Sequence, residues 1–111
     1  MQRSDQFERG HIIWHDGLFR GSGRPWVVLS DAHHPFHGEE YLVAGITTTD
    51  RRGNIEVSGS DWQVGGLPKT SYVSPWFLTT LKHETIDRGV GMLSSTLTAQ
   101  VCTEAVAYIE G

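Results

Sequence analysis

Four features of this chain have side chains able to act on something: Arg24, the threonine run Thr47-Thr48-Thr49, a histidine cluster and a single cysteine. Arg24 stands in "GSGRPWVVLSD", at the mouth of an apolar run. A guanidinium there cannot be buried alone, because an unpaired internal charge is strongly destabilising. It needs a carboxylate, backbone carbonyls or an anionic ligand. Its planar donor fork suits carboxylate and phosphate alike. Two readings therefore stay open from the residues alone: an ion pair with Asp31, Glu39 or Asp50, or a phosphate site. The threonines end a second apolar run, "YLVAGITTT". If the two runs are neighbouring strands, Arg24 and Thr47 meet at one end of the fold. Arg20 and Arg24 lie close in sequence, as do Arg51 and Arg52, and the two pairs can converge in space.

The other candidates carry less. "HHPFH" sets His33, His34 and His37 within a polar loop around Pro35. Their spacing matches none of the zinc patterns and there is no H-E-x-x-H helix, so a solvated loop is expected and no metal. His11, His15 and His83 are scattered. "GSG" at 21–23 lacks the strand-turn-helix setting of a nucleophile elbow, and "GSGR" lacks the Walker arrangement. Cys102 falls within a helical pattern and reads as a small buried hydrophobe. Of the four tryptophans, Trp76 is the one expected to be exposed, because it follows a proline in an irregular strand.

The elements that must position these residues are mostly short strands. "HIIWH" (11–15), "PWVVLS" (25–30), "YLVAGITTT" (41–49) and "IEVS" (55–58) are β-branched, aromatic or alternating. "SYVSPWFLTTL" (71–81) is β-rich but holds Pro75, which predicts an edge or bulged strand. "ETIDRGVGML" (84–93) reads as a short strand with glycines. Loops are expected at 16–23, 31–40, 50–54 and 59–70. Leu97, Val101, Ala105, Tyr108 and Ile109 recur at helical spacing, with Ser94 as N-cap and Gly111 as stop. Five or six strands followed by one amphipathic helix point to a mainly β fold, a small closed or nearly closed barrel.

Bulk properties bound the rest. The 111 residues suit one domain over 1–111, with residues 1–9 a loose leader. One cysteine excludes a disulfide framework and suggests a reducing, cytoplasmic setting. No apolar run is long enough to span a membrane, and "MQRSDQFERGH" resembles no targeting peptide. A net charge of −4 argues against broad nucleic-acid coating, though not against a local cationic site.

With these residues in view, the chain resembles the PemK/MazF family of toxins from toxin–antitoxin pairs. "RGHIIWHD" is similar to the family's opening G-D-I/V-x-W-x-D strand. "GSGRPWVVLSD" is similar to its G-S…R-P-x-V-V-L-S. "YLVAGITTT" resembles x-L-V-x-P-I-T-T, "GLPKTSYV" resembles G-L-x-K-D-S-x-V, and "GMLSSTLTAQV" resembles G-x-L-S-x-E-x-L-x-x-V. The five pieces stand in order over roughly residues 9 to 109. The resemblance implies an SH3-like (MazF/CcdB-like) β-barrel with a C-terminal α-helix, usually a homodimer. It implies an endoribonuclease that cleaves single-stranded RNA without cofactor or metal, held in check by an antitoxin. The family's catalytic pair corresponds to Arg24 and Thr47, and Ser22, Gly23 and Thr48 are expected RNA or phosphate contacts. Three departures stand out. The 16–24 loop is short, with "GLFRGSGRP" lacking the G-S-E-Q stretch and its acidic residue, Gly45 replaces a frequent proline, and "WFLTT" (76–80) replaces D-Q-x-R-T. A CcdB-like toxin that binds gyrase or another protein, or a degenerate binding module of the same fold, is the alternative.

Overall fold

Strands form where β-branched and aromatic residues run unbroken between glycine- and proline-rich turns. The computed structural model describes residues 6–17 and 21–111. In chain order they form β1 (His11–His15), β2 (Arg24–Val28), β3 (Glu40–Thr47), β4 (Ile55–Val57), β5 (Trp62–Gly65), β6 (Ser71–Lys82), β7 (Arg88–Leu93) and α1 (Ser95–Glu110). The strands make one seven-stranded sheet in the order β4-β6-β3-β2-β1-β7-β5, antiparallel at every pairing.

The central runs are apolar throughout because the curled sheet is covered on both faces. Ile12, Val27 and Ala44 point into one cluster, where α1 adds Leu97, Val101 and Ala105. Their neighbours Ile13, Val28 and Val43 point the other way, into a second cluster with Trp26 and Tyr41. This alternation is the period-two geometry of a strand with two buried sides. Ser94 caps α1 by accepting from the Leu97 N–H at 3.2 Å, and the Gly111 N–H closes its other end on the Ala107 carbonyl at 2.9 Å.

The mainly β fold with a C-terminal helix is as expected, with four corrections. The strands number seven, not five or six, because the 59–70 stretch read as loop contains β5, which pairs with β7 through Trp62↔Leu93 and Val64↔Met92. The barrel is a curled half-barrel rather than a closed one, since β4 and β5 are edges of the sheet. Both edges are very short, which limits their exposed hydrogen-bonding groups. Residues 6–9 do not lie loose. The Phe7 N–H donates to the Tyr41 hydroxyl at 3.0 Å, Arg9 Nε donates to the Leu29 carbonyl at 2.6 Å, and the Phe7 ring joins the second cluster. Residues 1–5 lie outside the described residues. The helical stripe also buries only its first three members, while Tyr108 and Ile109 remain 52% and 72% exposed. The Tyr108 ring instead meets the Trp76 ring edge-on at 5.6 Å.

Pro75 produces the bulge its sequence implied. On β3, Ala44 and Gly45 are adjacent, yet they face Leu78 and Ser74 of β6. Pro75, Trp76 and Phe77 are therefore pushed out of the ladder. A proline, having no N–H to donate, is accommodated at such a point.

Candidate active site

The β2–β3 register brings the leading candidates together. Trp26 faces Gly45, Val27 faces Ala44 and Val28 faces Val43. Continued by two residues, the ladder sets Arg24 opposite Thr47, with both side chains on the face that carries Trp26. Directly opposed residues on one face are near neighbours, and Arg24 and Thr47 line the same two clefts. Among the described residues Arg24 makes no ion pair with Asp31, Glu39 or Asp50. Asp31 pairs with Arg9 at 3.2 Å instead. The guanidinium packs on aromatic faces, its Cζ 5.1 Å from the Phe77 ring centre and 5.8 Å from that of Trp26. Such stacking orients the fork while its N–H donors stay available.

One cleft, of about 380 Å³, gathers all five residues anticipated from the sequence: Ser22, Gly23, Arg24, Thr47 and Thr48. Trp14 and Lys69 line it too. Gly23 is required there, since a Cβ at that position would lie 2.9 Å from Trp14 Cζ2. The backbone at Gly23 can therefore come close to the Trp14 ring. Arg20 falls outside the described residues.

A second cleft, of about 360 Å³, opens on the other side of the pair and is lined by Arg24, Thr47, Thr49, Arg51, Ser74, Trp76 and Phe77. Arg24 and Arg51 thus converge, as the paired arginines suggested, in a cleft that no carboxylate lines among the described residues. A buttress of hydrogen bonds holds the threonine turn between the clefts. The buried Ser74 hydroxyl donates to Asn54 Oδ1 at 2.7 Å, Asn54 Nδ2 donates to the Thr49 carbonyl at 3.0 Å, and the Thr49 N–H donates to Thr47 Oγ1 at 3.1 Å. Thr47 Oγ therefore accepts from the backbone and keeps its own hydrogen to donate to a ligand.

Sequence reasoning passed over Lys69, Asn54 and Phe77. Lys69 and Asn54 read as ordinary loop and turn residues, and their role comes from what the fold sets beside them. Phe77 did carry a signal, because it lies two residues after the proline whose bulge was expected. Trp76, expected to be exposed, is half-buried, with the Arg51 Cζ 5.8 Å from its ring centre.

The histidines disperse. His33 lies near Asp31, His34 near Glu40 and His37 near Glu8. Among the described residues no three of His, Cys, Asp and Glu come together as a metal would need. Cys102 is half-buried, and burial pushes its thiol pKa above the ordinary value.

No family model and no curated protein matches the sequence. Solved structures do match. The Mycobacterium tuberculosis toxin MazF-mt6 is 27% identical, with 90% of this chain and 94% of that chain covered and a TM-score of 0.65. The fold is that of the MazF toxins. A MazE–MazF structure from Deinococcus radiodurans aligns over 96% of this chain and 98% of that one, with a TM-score of 0.74 at 15% identity. A mycobacterial endoribonuclease in complex with its cognate antitoxin aligns over 94% and 92%, with a TM-score of 0.70 at 20% identity. The MazF fold thus covers nearly the whole chain, including both clefts and the strands that meet at Arg24 and Thr47.

Proposed function

We propose that this chain is the toxin of a toxin–antitoxin pair and acts as an endoribonuclease on single-stranded RNA, with Arg24 and Thr47 at the scissile phosphate. One observation carries the reading: an arginine that pairs with no carboxylate among the described residues shares two clefts with a threonine hydroxyl. A structural role for Arg24 would call for an acid beside it, whereas a phosphate site leaves that place to the substrate. The named activities of the MazF neighbours, and the antitoxin found with some of them, support the same conclusion. A reducing cytoplasm is the setting in which a lone cysteine and an RNA substrate are both expected.

The chemistry follows from the substrate. The ribose 2′-oxygen attacks the adjacent phosphorus and the P–O5′ bond breaks. The 2′-hydroxyl proton is lost and the 5′-oxygen takes one up. The products are a 2′,3′-cyclic phosphate and a 5′-hydroxyl end. The intermediate phosphorane gathers negative charge on its equatorial oxygens. Arg24, packed on two adjoining aromatic rings, offers preorganised donors to that charge. The Thr47 hydroxyl donates to a phosphate oxygen and sets the in-line geometry. Single strands are favoured because their unstacked bases are accessible to side chains, as those of a duplex are not.

An end-labelled single-stranded RNA incubated with the protein in EDTA tests this. We expect cleavage to 2′,3′-cyclic phosphate ends, and a loss of at least about a hundredfold for Arg24→Ala. An RNA library left intact by the wild type would overturn the enzyme reading and favour a CcdB-like protein-binding toxin. Full activity in Arg24→Ala would overturn the site.

A further inference from the structure

Phe77 is an exposed aromatic for which the fold supplies a seat but no cover. Pro75 pushes it out of the β6 ladder, and its ring settles over Gly45, where a Cβ would come within 2.5 Å of Cδ2. The ring centre lies 5.2 Å from that of Trp26, tilted by 41°, and 5.1 Å from the Arg24 Cζ. Even so, Phe77 remains 43% exposed. It forms a wall of the second cleft, whose charged residues are Arg24 and Arg51. The ring thus packs on Trp26 with part of its surface open to the cleft. Beside Arg24, and in one cleft with Arg51, it has the makings of a single-strand binding platform: an aromatic ring for a base and cations for phosphates.

Resting on the ribonuclease reading above, we propose that Phe77 stacks on the base of a nucleotide flanking the scissile phosphate, and that Arg51 neutralises that nucleotide's outer phosphate. With the scissile phosphate at Arg24 and Thr47, the second cleft takes the strand on one side and the Trp14–Lys69 cleft takes it on the other. The fixed spacing follows from the ladder. Arg24 and Thr47 face each other on neighbouring strands, and Phe77 lies on Gly45, two residues from Thr47 along β3. Stacking accepts any base face, so Phe77 contributes affinity and a preference for well-stacking bases rather than a hydrogen-bonded code.

The test separates this from the catalytic reading by using probes that cannot be cut. Affinity is measured by fluorescence anisotropy with a short labelled RNA of mixed sequence whose 2′-hydroxyls are replaced by fluorine. It is measured again with an abasic tetrahydrofuran-phosphate oligomer of equal length. Phe77→Ala should weaken the first about tenfold and the second by a clearly smaller factor, since the ring also orients Arg24. Phe77→Tyr should restore wild-type affinity. Phe77→Leu keeps an apolar cover over Trp26 but no π face, so it should behave like the alanine variant. Arg51→Ala should weaken both probes alike and lower the salt dependence by about one phosphate contact. The proposal is overturned if Phe77→Ala binds the RNA as tightly as wild type, or if it loses the same factor on both probes. A protein that cleaves no RNA yet shows this base-dependent loss would refute the nuclease reading and keep the platform. Cleavage that proceeds normally with no effect of Phe77→Ala on binding would do the reverse.

Discussion

Replacing Asn54 by alanine should cost more stability than replacing Ser74, although the two share a single hydrogen bond. Ser74 is 6% exposed and its hydroxyl donates to Asn54 Oδ1. Asn54→Ala leaves that hydroxyl buried without a partner, a penalty of about 1–3 kcal/mol. It also removes the Asn54 Nδ2 bond to the Thr49 carbonyl, worth about 1 kcal/mol. The expected loss is about 2–4 kcal/mol, roughly 10–15 °C in Tm for a domain of this size. Ser74→Ala removes the buried hydroxyl together with its need, and the half-buried Asn54 Oδ1 can turn to water. Its cost should be about 1 kcal/mol or less. The double variant has no orphaned hydroxyl and should be no less stable than Asn54→Ala alone. Thermal and urea unfolding of the four proteins form a double-mutant cycle. The same geometry predicts activity. Asn54 is a positioning residue, because it holds Thr49, whose N–H holds Thr47 Oγ1. Asn54→Ala should lower kcat about tenfold with KM and the pH profile little changed, whereas Ser74→Ala, which keeps the Asn54–Thr49 bond, should retain most of the rate. If Ser74→Ala is the more damaging to stability, or if the two losses simply add, the buttress reasoning is wrong.

Gly45→Ala should displace the Phe77 ring, because the new Cβ would lie 2.5 Å from it, and should weaken RNA binding as Phe77→Ala does. Gly66→Ala, whose Cβ would meet nothing within 4 Å, is the neutral control in the same anisotropy assay. Leu97→Ala, at a position 5% exposed in the main core, should cost about 2–5 kcal/mol in urea unfolding. Ile109→Ala, at a position 72% exposed, should stay within about 0.5 kcal/mol. Ser94→Ala removes the helix N-cap and should cost about 1 kcal/mol by the same measurement. The Glu8 carboxyl titrates below its ordinary value of 4.5, chiefly through the hydrogen bond from Gln6 and then against partial desolvation, with His37 adding to the lowering. Its folded pKa is depressed, so its contribution is complete above pH 4.5 and fades as the pH falls through the folded value. Tm followed against pH should therefore show a shallower acid limb in Glu8→Gln than in wild type, and identical limbs would refute the assignment.

Much of this protein was written locally. Alternating and continuous apolar stretches mark β1 to β4 and β6 because a strand's two faces are set by residue parity alone. Ser94 and the Leu97–Val101–Ala105 spacing mark the helix in the same way. Pro75 announces a bulge because it has no N–H to give the ladder. Arg24 and the threonine run stand out because a guanidinium and a hydroxyl at strand ends have few other uses. Long-range pairing decided the rest. β5 is a strand only because β7 supplies its partner, and no pattern in "WQVGG" demands it. Residues 6–9 are ordered only because Tyr41 and Leu29 offer them hydrogen-bonding groups from other strands. That Arg24 faces Thr47 follows from one register, and a slip of a single residue would turn Thr47 to the opposite face. The absence of a carboxylate beside Arg24 among the described residues, the Asn54 buttress and the seat of Phe77 on Gly45 are likewise facts of packing. Residue types state which chemistry is available, since that is a property of side chains. Only the sheet, by fixing which strands adjoin and in what register, determines which side chains act together.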